Sequence, residues 1–152
     1  MKQFLTVLGS IFLILIVVGI IGIAFMVNKG SALDKESRVY VDSAIPAIVS
    51  DWSEKALLDR ASPEFKNAVT IVQLDSLFQR FSVLGRLQRC EPSKGQSITS
   101  ATIRDGKRIF GKYTTKATFE SGDATIAITV VRHGDQWQIS RFEVHSPQLA
   151  AH

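Results

Sequence analysis

Hydrophobic positions fill the start of the chain and later follow two different periods. No charged side chain occurs between Gln3 and Val27, and nearly every position there is apolar or glycine. About 20 such residues, at a rise of about 1.5 Å each, cross the roughly 30 Å hydrocarbon core of a bilayer. A helix that is apolar on every face has nothing to bury against in water. The pattern therefore predicts a transmembrane helix over residues 4–27, within an anchor segment 1–30.

The apolar run is longer than the 7–15 residues or so of a removable signal peptide, so we expect an uncleaved signal anchor. Residues 30–32, Gly-Ser-Ala, nevertheless have the small-residue pattern of a cleavage site. The orientation has two interpretations. Lys29, Lys35 and Arg38 follow the span, which favours a cytoplasmic domain under the positive-inside rule. Lys2 directly precedes the span, as in signal anchors, and on this basis we favour a bacterial inner-membrane protein with a periplasmic domain.

Beyond the span, the apolar positions first follow a helical period. The first stripe has spacings of 4, 3 and 4 and consists of Val41, Ile45, Ile48 and Trp52. Ser53, and Ser62 followed by Pro63, are typical N-cap positions of two short helices. A later stripe, which ends at Gly85, consists of Leu74, Leu77, Phe78, Phe81 and Leu84. These patterns predict helices up to Gly85.

After Gly85 the period changes from 3.6 to 2, and turn signals recur at 104–107, 121–123 and 133–135. The predicted strands cover about 97–104, 107–120, 124–132 and 136–145, with a fifth near 86–91. Phe142 and Val144 are out of phase with Trp137 and Ile139, which predicts a bulge near Ser140-Arg141. The expected domain, residues 31–147, is α+β, with helices packed on a curved four- to five-stranded antiparallel sheet. Residues 148–152 are expected to be a disordered tail.

This order of elements resembles the nuclear transport factor 2-like and cystatin-like cone folds. The segments IPAIVSDWS at 45–53, ASPEF at 61–65 and HGDQW at 133–137 are similar to small, functionally uncharacterised bacterial single-pass membrane proteins of that type. The resemblance covers about 34–147, and its motifs are structural. It implies a concave sheet face. The superfamily includes both an inner-membrane scaffold of type IV secretion systems and pocket enzymes such as ketosteroid isomerase.

Charge is the second signal in the chain, whose net charge is +4. Between Arg80 and Lys116 lie nine basic residues and two acidic ones. The predicted anionic-surface patch consists of Arg86, Arg89, Arg104, Lys107, Arg108, Lys112 and Lys116. Such a patch suits anionic lipid headgroups or an acidic partner protein, and a merely solvated strand face is the alternative. We do not expect nucleic acid as a partner, because no recognition element interleaves aromatic and basic residues.

The sequence offers three candidate catalytic residues, with weaker support than the basic patch has. On a concave sheet face, Tyr113, Glu143 and His145 are placed to line a pocket, and Glu143 and His145 lie two residues apart on one face. No residue matches a family catalytic motif, and rim polarity around a closed core is the alternative. Three histidines and one cysteine show no metal-ligand spacing, so we expect no metal and no cofactor.

The sequence thus favours a non-enzymatic interaction or scaffold module of the bacterial cell envelope. Its partners would be the bilayer, through residues 4–27, and another envelope protein or a second copy of the chain. The alternative is a membrane-tethered small-ligand-binding or acid–base enzyme domain that uses the concave face. A filled interior beside an exposed apolar patch would favour the module, whereas a cavity lined by Tyr113, Glu143 or His145 would favour the enzyme.

Overall fold

The computed structural model describes residues 32–102 and 106–150, and residues 34–152 belong to one compact unit. The predicted span over 4–27 lies outside the described residues. No helix within 32–102 or 106–150 is both long and apolar enough to cross a bilayer. The described chain is α+β, as predicted, with helices preceding a five-stranded antiparallel sheet.

Helices occupy the first half of the described chain. Helix α1 covers residues 32–49, α2 Glu54–Leu58, α3 Pro63–Ala68 and α4 Ile71–Phe81, and the 3₁₀ turn Ser82–Leu84 follows. The side chains of Ser53, Ser62 and Thr70 each accept a hydrogen bond from the backbone N–H three residues later, at 3.1, 3.2 and 3.2 Å. These bonds satisfy N–H groups that have no partner inside the helix. The predicted caps at Ser53 and Ser62 are confirmed.

The sheet is built around one long central strand. Its strands are β1 Leu87–Cys90, β2 Lys94–Thr102, β3 Gly106–Phe119, β4 Gly122–His133 and β5 Gln136–His145. β1 and β2 follow each other along one edge of β3, β4 pairs with the other edge, and β5 pairs with β4. A last helix, α5 (Pro147–Ala150), includes residues 148–150 of the predicted tail.

A bulge corrects the phase of β5. Val130 of β4 lies opposite Ile139, whereas Thr129 lies opposite Arg141, so Ser140 is the extra residue. The predicted bulge at Ser140-Arg141 is confirmed. Because of it, Trp137, Ile139 and Phe142 are all buried on one face of the sheet.

The space between the helices and the sheet is filled by apolar side chains. Val41, Ile45 and Ile48 of α1 are fully buried, and Trp52 follows them in an aromatic cluster. The Trp52 ring stacks on Phe119 at 5.1 Å between ring centroids, and its Nε1 donates to the Gly85 carbonyl at 2.9 Å. The later stripe is buried at Leu74, Phe78, Phe81 and Leu84, but Leu77 is 38 % exposed.

Side chains of α1 cover the outer edge of β2. The Asp34 carboxylate accepts from Ser97 N–H at 2.6 Å, Arg38 donates to the Gly95 carbonyl at 3.0 Å, and the Asp42 carboxylate accepts from Ser93 N–H at 2.9 Å. Unpaired edge groups invite pairing with another chain. These three contacts occupy that edge from Ser93 to Ser97.

The opposite edge of the sheet is covered only in part. Ala61, between α2 and α3, forms a parallel bridge with Ile139 of β5. Ser62 N–H donates to the Ile139 carbonyl at 2.8 Å, and Ile139 N–H donates to the Arg60 carbonyl at 2.7 Å. The helical region therefore protects the edge of β5 at Ile139.

Candidate interaction site

Tyr113 is a structural residue beneath α1. Its side chain is buried, and its hydroxyl shares a short hydrogen bond with Ser37 and lies 3.5 Å from the Asp34 carbonyl. Burial raises the pKa of the Tyr113 phenol, so the group stays neutral near pH 7. Tyr113 therefore joins α1 to β3.

Glu143 and His145 lie on the opposite face, which we call the outer face and define by Lys112, Thr114 and Lys116 of β3. Glu143 is opposite Ala127, which in turn is opposite Thr114. Its carboxylate accepts from Arg141 Nε at 2.5 Å and lies 3.2 Å from His145 Nε2. Arg141 and then His145 hold the pKa of Glu143 below its ordinary value. The structure thus brings Glu143 and His145 side by side. Tyr113 and Glu143 both line an outer-face cavity of about 480 Å³, but the Tyr113 hydroxyl is bonded to Ser37 beneath α1. The ionised Glu143 carboxylate is a weak base.

An apolar groove follows the edge of β5 beyond its bridge to Ala61. We call it the β5 groove; its volume is about 290 Å³. Its apolar lining consists of Leu77 and Phe81 of α4, Phe142 and Val144 of β5, and Leu149 of α5. Arg80, Glu143 and His145 complete the wall. The exposure of Leu77, which interrupts the predicted buried stripe, is explained by this groove.

The backbone of β5 directs hydrogen-bonding groups into this groove. Ile139 uses both its N–H and its C=O on the side away from β4. Residues of an antiparallel strand alternate between bonding one neighbour and the other, and beyond the bulge this alternation places Phe142 and Val144 on the outward side. In the described part of the chain, no backbone group outside the sheet ladder bonds to Phe142 or Val144. The edge here is open for one further strand.

The outer face collects most of the predicted basic patch. Arg89 lies opposite Thr118, and Lys94 lies opposite Thr114, so both share a face with the exposed Lys112 and Lys116. Arg108, also exposed, occupies the same alternate position on β3. None of these five forms an ion pair with another described residue.

The remaining patch residues are placed differently. Arg86 is exposed beside Glu120, whose carboxylate accepts the Arg86 backbone N–H at 3.2 Å. Lys107 lies in β3 opposite Ala101, and Arg104 lies outside the described residues. Lys94, which the predicted patch does not include, joins it through its register with β3. Register between distant strands is a long-range property that charge spacing does not contain.

Comparisons with family models, curated proteins and solved structures each give no match to this chain. The described residues define a class: an α+β domain with an apolar core, a β5 edge that is covered at Ile139 and a basic outer face.

Proposed function

We propose that the chain is a membrane-anchored, non-enzymatic interaction module of the bacterial cell envelope. Residues 4–27 would hold it in the inner membrane, with the domain in the periplasm. The observation that carries the proposal is the β5 groove, where an open strand edge lies beside the exposed Leu77 and the half-buried Val144 and Leu149. Apolar surface combined with unpaired backbone groups is typical of a site that receives another polypeptide.

The filled interior supports a binding role over catalysis. Ile45, Ile126 and Ile128 are almost completely buried between α1 and the sheet, where a cone-type enzyme would hold its substrate. Tyr113 is also engaged there, bonded to Ser37. The other acid–base candidates, Glu143 and His145, border the β5 groove, and Glu143 is held in its ionised form.

The groove indicates the chemistry of the partner. An added strand at Phe142–Val144 would gain backbone hydrogen bonds, and its alternate side chains would enter the space among Leu77, Phe81 and Leu149. The partner we propose is therefore an extended segment of another envelope protein with apolar side chains at alternate positions. The short open stretch of edge suits a segment of a few residues.

We further infer that the domain is of the nuclear transport factor 2-like type. Helices that precede a bulged antiparallel meander support this assignment. The bulge in β5 supports it in particular, because a bulge increases the local bend and twist of a sheet.

Affinity purification of the full-length chain from detergent-solubilised membranes tests the module. We expect at least one envelope protein to co-purify with the wild type. Leu77→Glu places a charge in the groove, where the loss of a central apolar contact weakens binding by about 2 kcal/mol or more, roughly 30-fold. Val72→Glu is the matched control, because Val72 lies on the same helix, is 75 % exposed and does not line the groove.

Loss of the partner with Leu77→Glu but not with Val72→Glu would support the β5 groove as the interface. Equal loss with both variants would contradict it and place the contact along α4 as a whole. Recovery of the wild type alone, at monomer mass, would contradict the module itself. Attachment of a photo-crosslinker at Leu77 before solubilisation guards against loss of a weak partner in detergent.

A further inference from the structure

Strands β2 and β3 continue beyond Ser97, where the Asp34 side chain of α1 contacts β2. Three successive contacts pair Asp34 with Ser97, Arg38 with Gly95, and Asp42 with Ser93. The residue number falls along β2 as it rises along α1, so the part of β2 after Ser97 lies beyond Asp34. We call residues 98–102 and their partners 106–110 the overhang. Five strand residues make it about 17 Å long.

The outer face of the overhang is both apolar and basic. Ile98, 39 % exposed, lies opposite Phe110, and Arg108 is exposed two residues before Phe110 on the same face. Lys112 and Lys94 continue this face toward the body of the sheet. Apolar side chains flanked by arginine and lysine are typical of surfaces in the headgroup region of a membrane, where apolar groups enter and cations remain with the phosphates.

The chain length keeps this surface close to a bilayer, given the proposed anchor. Asp34 is seven residues after Val27, the last residue of the predicted span. Even a fully extended connection of that length covers no more than about 25 Å. Each Lys or Arg near an anionic membrane surface strengthens attachment about fivefold, and the attraction fades within about 10 Å at ordinary salt.

We propose that the overhang binds anionic phospholipid headgroups of the membrane that holds the anchor. Ile98 and Phe110 enter the headgroup region, and Arg108 and Lys112 contact lipid phosphates. This inference rests on the proposed membrane anchor but not on the β5 groove. Its effect is to fix the orientation of the domain on the membrane, in addition to the tether.

Fluorescence quenching in lipid nanodiscs tests the inference with the full-length chain. Cys90→Ala removes the sole native thiol, and Gln96→Cys places a fluorophore on the exposed outer face opposite Lys112. The quencher is a spin label on the lipid headgroup. We expect strong quenching with about 30 % phosphatidylglycerol, little with phosphatidylcholine alone, and loss of the difference at about 1 M salt, where the screening length falls to about 3 Å.

Two double variants separate the overhang from net charge. Arg108→Glu with Lys112→Glu should reduce quenching in anionic discs to the level seen in neutral discs. Lys55→Glu with Lys66→Glu changes the net charge by the same amount, at exposed positions of α2 and α3. This control variant should leave the quenching unchanged. Ile98→Ser with Phe110→Ser should also lower quenching, because the apolar contribution is lost.

Equal quenching in neutral and anionic discs, or equal loss with both charge variants, would overturn the inference. Loss of quenching when inorganic phosphate is added at constant ionic strength would also overturn the inference, because it would indicate a site for free phosphate. A chain that elutes apart from the discs would instead refute the anchor, so the two failures are distinguishable. Circular dichroism of each variant checks that the domain is folded.

Discussion

At the scale of single residues, Gly95 has the strictest requirement in the described chain. Its φ is +153°, and a Cβ added there would lie 2.0 Å from the Lys112 carbonyl oxygen and 2.9 Å from the Tyr113 Cα. Both neighbours are backbone atoms of β3, which cannot turn aside as a side chain can. The same glycine accepts the hydrogen bond of Arg38. Gly95 thus allows β2, β3 and α1 to approach each other.

We expect Gly95→Ala to lower the free energy of unfolding by about 2–3 kcal/mol, because the strands must separate. Gly134→Ala is the control: its φ is +61°, and a Cβ there would meet nothing within 4 Å. Gly134→Ala should lower the free energy of unfolding by only about 1 kcal/mol, because its only cost is the strain of a left-handed backbone. Urea unfolding followed by circular dichroism measures both. Equal losses would show that β3 does not restrict this position.

Glu143 gives a prediction about pH. Arg141, and then His145, lower the pKa of its carboxyl group in the folded protein. Its contribution to stability is therefore fully present above the ordinary glutamate pKa and is lost as the pH falls through the folded-state pKa. We expect Arg141→Gln to move the Glu143 pKa upward, and a ¹³C NMR titration of the side-chain carboxyl measures the change. Arg132→Gln, which removes a cation that has no contact with Glu143, should leave the value in place.

At the scale of elements, the sequence predicted most of the fold because local period and turn chemistry determine it. Turn signals at 121–123 and 133–135 placed β4 and β5 to within two residues, and the phase change after Ile139 located the bulge. Lys112, Thr114 and Lys116 are exposed on the outer face, and Thr118, on the same face, is half-buried.

The candidate site was less predictable because it depends on contacts between distant segments. The face on which Glu143 lies relative to Tyr113 is decided by one inserted residue, Ser140, and by the register of two strand pairs. The bridge from Ala61 to Ile139 joins residues 78 positions apart, and no periodic pattern in the sequence predicts it. Leu77 fits the apolar stripe of α4, but whether its side chain is buried depends on where β5 and α5 end.

The Ala61 bridge gives a prediction for this scale. Ser62 has a φ of −71°, which proline also adopts, so Ser62→Pro removes the N–H bonded to Ile139 without opposing the local backbone. Ser62→Ala removes only the α3 cap, which costs about 1 kcal/mol. We expect Ser62→Pro to cost at least about 1 kcal/mol more, because it removes one backbone hydrogen bond and places the ring Cδ against the Ile139 carbonyl. Hydrogen exchange should then become faster at Ile139. Unchanged exchange there would show that the bridge does not protect the edge.

At the scale of the whole molecule, the domain should be separable from the predicted anchor. Residues 34–152 form a compact unit with their own core, so they should fold without the first 30 residues. We expect the full-length chain to stay in the membrane pellet after an alkaline carbonate wash, and a version that starts at residue 31 to remain soluble with the same β-rich circular dichroism spectrum. Full-length chain in the supernatant would contradict the anchor. Aggregation of the shorter version would contradict an independent core.

The unequal protection of the two sheet edges limits how many molecules can assemble. Asp34, Arg38 and Asp42 occupy the β2 edge from Ser93 to Ser97, and Pro92 directly before it has no N–H to offer a neighbour. Growth of a ribbon requires two receptive sides on every copy, and the β2 side is occupied from Ser93 to Ser97. Pairing of the β2 edge of one copy with the β5 edge of the next is therefore blocked over this stretch, which disfavours fibre growth.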